Sequence, residues 1–129
     1  MDKPVCSVCI ANYNGMRTLL DCLDSVLNQD GDFQVEIIVH DDASSDESVS
    51  FIRQHYPQVV LIESRENVGF CVANNRMAAR AQGEFLLLLN NDAELFPDAL
   101  NTLYKAARRL GKPAIIGLPQ YDAATGALI

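Results

Sequence analysis

Acids and carboxamides gather at the ends of apolar runs in this sequence. The run 5–11 is followed by Asn12-Tyr13-Asn14-Gly15, and the run 35–39 by His40-Asp41-Asp42-Ala43-Ser44-Ser45-Asp46. The run 59–62 leads to Arg65-Glu66-Asn67-Val68-Gly69, and the run 85–89 to Asn90-Asn91-Asp92. A carboxylate in such a place can accept hydrogen bonds from the N–H or O–H groups of a ligand, as an acidic residue after a strand does for ribose. A hard divalent ion on a diphosphate needs only one or two protein carboxylates, since phosphate and water oxygens supply the rest. Asp92 can provide one; Asn90 is neutral and a weak ligand at best.

Each of these groups also has a plainer use. Asp41-Asp42 reads either as a solvated turn that caps the next helix or as a ligand acceptor, and Asn90-Asn91-Asp92 either as an ordinary turn or as a polar rim. Tyr13 can stack on a base or cover the top of the core. Asn67, Asn74 and Asn75 can bond a ligand or cap the turn and helix around them. Gly69 supplies a permissive backbone at a helix entrance. Arg76 and Arg80, one helical turn apart, read as a solvated face, and His40 and His55 have no nucleophile to serve.

The elements that must carry these groups follow from hydrophobic period. Residues 5–11, 35–39, 59–62, 85–89 and 114–118 read as strands. Between them, Leu19, Leu20, Leu23, Val26 and Leu27 share one helical face, with Asp21 and Asp24 turned away. Ser44 and Glu47 have capping-box spacing ahead of Val49, Ile52 and Tyr56. Phe70, Ala73, Met77, Ala78 and Ala81 form a third stripe, stopped by Gly83. Leu100, Leu103, Tyr104 and Ala107 form a fourth, from Pro97 to Gly111. The run 85–89, apolar at every position, is expected to be central with both faces covered. Residues 122–126 carry turn chemistry, and 127–129 read as the second arm of a hairpin. Strands alternating with helices give an α/β fold, a mostly parallel sheet with helices on both faces. In such sheets ligands bind beyond the carboxyl ends of the strands, where the polar groups lie.

Composition narrows the classes. The chain has 129 residues, 49% of them hydrophobic, enough for one domain with a real core and too apolar for disorder. Ten Lys+Arg against 17 Asp+Glu leave a net charge of −7, which argues against a nucleic-acid partner. The longest apolar run falls far short of the roughly 20 residues of a membrane span, and no secretory leader pattern opens the chain. A cytoplasmic domain is expected. Cys6 and Cys9 have metal or redox spacing but lie in one strand, where residues three apart point to opposite faces; with Cys22 and Cys71 they read as plain thiols. No strand end carries a dinucleotide or P-loop fingerprint.

Four motifs in order resemble family 2 glycosyltransferases of the GT-A fold. They are residues 7–14 (Ser-Val-Cys-Ile-Ala-Asn-Tyr-Asn), residues 41–46 (Asp-Asp-Ala-Ser-Ser-Asp), the stretch from Asn67-Val68-Gly69-Phe70 through Asn74-Asn75, and residues 83–92, from Gly83 to Asn90-Asn91-Asp92. The likeness spans nearly the whole chain. It implies a Rossmann-like half that binds a nucleotide-diphosphate sugar, with Ala11 and Tyr13 beside the nucleobase, Asp42 accepting from the base and Asp41 near the ribose. Asn67, Gly69 and Asn75 would line the donor pocket. Asn91 and Asp92 fall at the family's metal motif, where Asp92 would bind a Mg²⁺ or Mn²⁺ ion bridging the diphosphate. Asn90 replaces the first acid of that motif, as in the rhamnosyltransferase-like branch, and Met77 stands where that branch often has Gly. Residues 116–128 resemble the hairpin that precedes the acceptor-binding half.

The resemblance therefore implies that residues 1–129 are a single donor domain from a longer glycosyltransferase. The reaction would be an inverting transfer to a hydroxyl of a glycan or lipid-linked acceptor, at the inner face of the membrane. The catalytic base would lie beyond residue 129, leaving this part inactive or weakly active alone. Two other classes fit the element order less well. A receiver-like signalling domain places its acidic pair after the first strand, where this chain has Asn12-Tyr13-Asn14. A sugar-phosphate nucleotidyltransferase carries a Gly-rich basic loop there, which this chain lacks.

Overall fold

The computed structural model describes residues 3–129; Met1 and Asp2, the start of the segment read as lacking a secretory leader, lie outside the described residues. Eight elements alternate: β1 (Cys6–Asn12), α1 (Met16–Leu27), β2 (Val35–Asp42), α2 (Ser48–His55), β3 (Val60–Ser64), α3 (Phe70–Arg80), β4 (Phe85–Asn90) and α4 (Ala99–Leu110). Every ladder between these strands is parallel, in the order β3-β2-β1-β4. The register sets Asn12 beside Asp41, and Ala11 beside both His40 and Asn90, so the polar strand ends emerge along one rim.

The two-residue period of the strands sorts their side chains between two cores. Val8, Ile10, Ile37 and Val39 pack with Leu19, Leu23 and Val26 of α1, Ile52 and Tyr56 of α2, and Leu100 of α4. On the opposite face Cys9 and Ile38 lie under Met77 of α3. Cys6 belongs to the first core and Cys9 to the second, as their spacing requires, and burial pushes both thiols up to about 11. α1 has no side-chain cap at Gly15. Its apolar stripe compensates, because each buried Leu or Val contributes about 1.5–3 kcal/mol against ~1 kcal/mol for a cap. Gly15 is there for another reason: a Cβ would run into the side chains of Asn12 and Asn91.

Four expectations need correction. Residues 114–118 form no strand; Ile115 is fully exposed, and only an isolated antiparallel bridge between Tyr121 and Leu128 marks the expected hairpin. β4 is an edge strand rather than a central one, and its residues alternate between half-buried and exposed, with Leu86 and Leu88 open to solvent. α2 starts at Ser48, not at a Ser44 cap: Asp46 accepts from the Ser48 amide and hydroxyl, while Ser44 is engaged elsewhere. Phe70 opens α3 but is 60% exposed and belongs to neither core.

Candidate functional site

At the C-terminal rim, alternation splits the acidic pair of β2. Asp41 points with Val39 and is only 2% exposed. Its Oδ1 accepts from Asn12 Nδ2 at 3.0 Å and from the Ser44 hydroxyl at 2.7 Å, and its Oδ2 from the Ser44 amide at 3.0 Å. Asn12 Oδ1 in turn accepts from Asn91 Nδ2 at 2.9 Å. One hydrogen-bonded chain thus ties the ends of β4, β1 and β2 together. Asn14 extends it: held at φ +49°, it donates its amide to the Ser44 hydroxyl and accepts on Oδ1 from the amides of Ser45 and Asp46. Asp41 is therefore neither a solvated turn nor a free acceptor. It is the buried hub of the scaffold.

Asp42 faces the other way, onto the side covered by α3. Its two oxygens accept from the amides of Val68 at 2.7 Å and Gly69 at 3.0 Å. Each carboxylate oxygen retains a further lone pair for an incoming donor. Asp42 lies in a cleft of about 240 Å³ with Ala11, Asn12, Tyr13, Gly69, Phe70, Ala73 and Asn91. That volume suits one planar ring system rather than a whole nucleotide sugar. Gly69 is at φ +87° and ψ 168°, a conformation open essentially to glycine alone, and it turns the chain from the Asp42 clamp into α3.

The structure thus brings Ala11, Tyr13, Asp42, Gly69 and Asn91 together, with Tyr13 55% exposed at the mouth. It does not bring Asp41, Asn67, Asn75 or Asp92 into the cleft. Asn67 and Asn75 are exposed, and Asn74 bonds back to the Phe70 carbonyl at 3.0 Å. Asp92 is exposed next to Asn91, and it acts with burial to push the Cys22 thiol up to about 12. Phe70 is the residue that sequence reasoning missed, since its spacing from Ala73 and Met77 had assigned it to the core. Below the rim, His40 is fully buried, with Arg76 Nη1 3.4 Å from its Nε2 and no partner at Nδ1. Arg76 is thus not purely a solvated charge.

No group of three or more His, Cys, Asp and Glu among the described residues could hold a metal. An ion carried in on a diphosphate needs fewer protein ligands than that, and the exposed carboxylate of Asp92 is open to one. A larger hollow of about 710 Å³ between β4, α4 and residues 111–116 lies away from the strand ends, lined mostly by apolar groups such as Phe85, Leu87, Leu103 and Tyr104.

A parallel α/β sheet with a carboxylate-bearing cleft at its C-terminal rim belongs to the class of open α/β domains that bind ligands beyond the strand ends. The sequence model of Glycosyl transferase family 2 matches residues 7–126, and the chain belongs to that family. It is 34% identical over 107 residues to the poly(ribitol-phosphate) beta-glucosyltransferase of Bacillus spizizenii, covering 79% of this chain and 17% of that protein. With the chondroitin synthase of Escherichia coli it shares 32% identity over 100 residues, 75% of this chain and 14% of that protein. Among solved structures, S. aureus TarS 1-349 in complex with UDP superposes with a TM-score of 0.77 at 22% identity, over 90% of this chain and 38% of that one. The mannosyltransferase PcManGT from Pyrobaculum calidifontis, in complex with GDP-Man and Mn2+, gives 0.72 at 28% identity, over 88% and 34%. These structures share the GT-A fold expected from the sequence. The chain spans well under half the length of the curated relatives it matches, for example 34%, 14%, 31% and 40% of four of them. Among the described residues no helix is long and apolar enough to cross a membrane.

Proposed function

We propose that this chain is the donor-binding part of an inverting glycosyltransferase, taking a nucleotide-diphosphate sugar and serving the assembly of a glycan or polysaccharide. One observation carries the reading: a buried carboxylate, Asp42, opens into a ring-sized cleft at the strand ends, beside Tyr13 and the Asn91 carboxamide. Support comes from relatives named for making poly(ribitol-phosphate) glucosides and chondroitin, and from structural neighbours that hold UDP, UDP-GlcNAc or GDP-Man. The Asn90-Asn91-Asp92 sequence favours the rhamnosyltransferase-like branch.

In this reading Asp42 accepts from the base, and Asn91 reaches toward the donor. The ribose edge nearest Asp41 meets the scaffold rather than a free carboxylate, and Asn67 and Asn75 shape the loop and helix that border the pocket. The acceptor hydroxyl attacks the anomeric carbon from the face opposite the diphosphate. The bond to the phosphate oxygen breaks as the new glycosidic bond forms, and the hydroxyl proton passes to a base supplied from beyond residue 129. A divalent ion, when bound, would neutralise charge on the departing diphosphate, with Asp92 as its protein carboxylate. A cytoplasmic location at the membrane face, where lipid-linked acceptors are found, fits this role.

Calorimetric titration with UDP, dTDP and GDP, with and without Mn²⁺, tests the proposal. At least one nucleotide should bind at millimolar concentration or below. Asp42→Asn should weaken it roughly 10- to 100-fold, the range for loss of a hydrogen bond to a charged group, while the variant still melts cooperatively. Absence of binding by all three, or unchanged binding by Asp42→Asn, would remove the reading.

A further inference from the structure

We propose that Phe70 is a base-stacking residue of the donor site, an aromatic surface on which the donor's nucleobase stacks together with Tyr13. The proposal rests on the donor-site reading and goes beyond it by assigning a residue that the fold does not need. The chain has five phenylalanines. Phe33, Phe51, Phe85 and Phe96 each lie against another ring, of Tyr104, Tyr56 and His55, Tyr104, and Tyr121 respectively. Phe70 has no ring partner among the described residues, belongs to neither core, and is 60% exposed.

Its position explains both facts. Ala73 and Met77 seat α3 on the sheet and are fully buried. Phe70, nearly a turn earlier at the first position of α3, lines the cleft instead. The placement within the cleft is also specific. Asp42 fixes the Gly69 amide at 3.0 Å, and Phe70 is the next residue, so the ring belongs to the same end of the site as the buried carboxylate. Small side chains, Ala11 and Ala73, complete that end and leave room for a flat group.

The ligand that satisfies an aromatic surface and a carboxylate acceptor together is a planar heterocycle with a ring N–H. Uracil, thymine and guanine qualify, whereas adenine lacks that donor. A sugar would exploit the aromatic face, but its hydroxyls have no planar edge to present to Asp42. Stacking also tolerates a change of base better than hydrogen bonding does. Phe70 therefore governs affinity across the acceptable bases, and Asp42 the choice among them.

The test exploits the absence of tryptophan from the sequence. Phe70→Trp places a single indole at the cleft, and its emission should change on addition of UDP, dTDP or GDP, but not with pyrophosphate. By calorimetry, Phe70→Ala should bind the preferred nucleoside diphosphate about tenfold more weakly or worse, and pyrophosphate as before. Phe70→Tyr should restore affinity, and Phe70→Leu should not. ADP should remain the weakest nucleotide throughout. Equal nucleotide binding by wild type and Phe70→Ala overturns the proposal, as does full rescue by Leu or an indole blind to nucleotide. If the wild type binds nucleotide and Phe70→Ala binds it equally tightly, Phe70 alone is misassigned. If the wild type binds none, the donor reading falls and this inference falls with it.

Discussion

His40 is fully buried with no hydrogen-bond partner at Nδ1 among the described residues, an arrangement that costs more free energy when the ring is charged than when it is neutral. Burial lowers its pKa below the ordinary 6.5; the nearby Asp42 pulls it up, the Arg76 guanidinium pushes it down, and Asp41 adds a smaller upward pull. The sign of the pH effect follows. Between the folded-state value and 6.5, the unfolded chain binds the proton and the folded chain does not. Stability attributable to this residue is therefore intact above that window and declines as pH falls through it. Urea unfolding at pH 7.5 and again near pH 5 should show a drop in midpoint that shrinks in His40→Gln. Equal drops in the two proteins would clear His40 of the acid sensitivity. Because His40 lies two residues before Asp42 on the same strand face, acid should loosen α3, and with it the cleft, before the rest of the sheet.

Among the connecting elements, the turn from β3 into α3 depends on Gly69, held at φ +87°. A methyl group at Gly69 would meet no atom within 4 Å, so Gly69→Ala tests backbone conformation alone. Holding Ala at that φ and ψ should cost ~1–3 kcal/mol, or the turn should relax and release the Val68 and Gly69 amides from Asp42. The first outcome lowers the unfolding midpoint, and the second lowers nucleotide affinity as well; a variant matching wild type in both would refute the conformational argument. Gly69 was legible in the sequence because a glycine before a helical stripe signals such a turn. The strand ends of β1 and β2 were legible because apolar runs that stop at polar groups must deliver them to a rim. Other features were not. Nothing in Asp41-Asp42 itself says which carboxylate faces α3, because that depends on strand phase relative to the neighbours. Ser44 has capping-box spacing, yet its hydroxyl bonds Asp41 and Asn14, contacts made across 30 residues that local pattern cannot show. Phe70 keeps core spacing but sits past the end of the sheet, and periodicity carries no information about where a sheet stops.

At the scale of the whole molecule the two edges of the sheet differ. β3 carries Glu63, ion-paired with Arg53, a charge of the kind that discourages edge-to-edge pairing. β4 is Phe-Leu-Leu-Leu-Leu-Asn, with no charge or proline, and its Leu86 and Leu88 are about half exposed on one face. β4 is an edge despite its composition, because a continuous apolar run reports that both faces call for cover, not that both neighbours are present. An uncharged, apolar edge is a template for pairing, so the isolated 129-residue chain should self-associate through β4. Its net charge of −7 opposes that contact at long range, and salt screens such repulsion over a Debye length of about 8–10 Å near physiological strength. Association should therefore rise with both protein concentration and salt, the reverse of an ion-pair interface. Sedimentation velocity across 20–500 mM salt (a screening length from roughly 20 Å down to about 4 Å) measures this directly. Leu88→Glu, half exposed and not among the residues lining the cleft, should shift the chain to monomer without altering its circular dichroism or nucleotide binding. A wild-type chain that stays monomeric at high salt, or a Leu88→Glu variant that associates as strongly, would show that β4 is not the sticky edge.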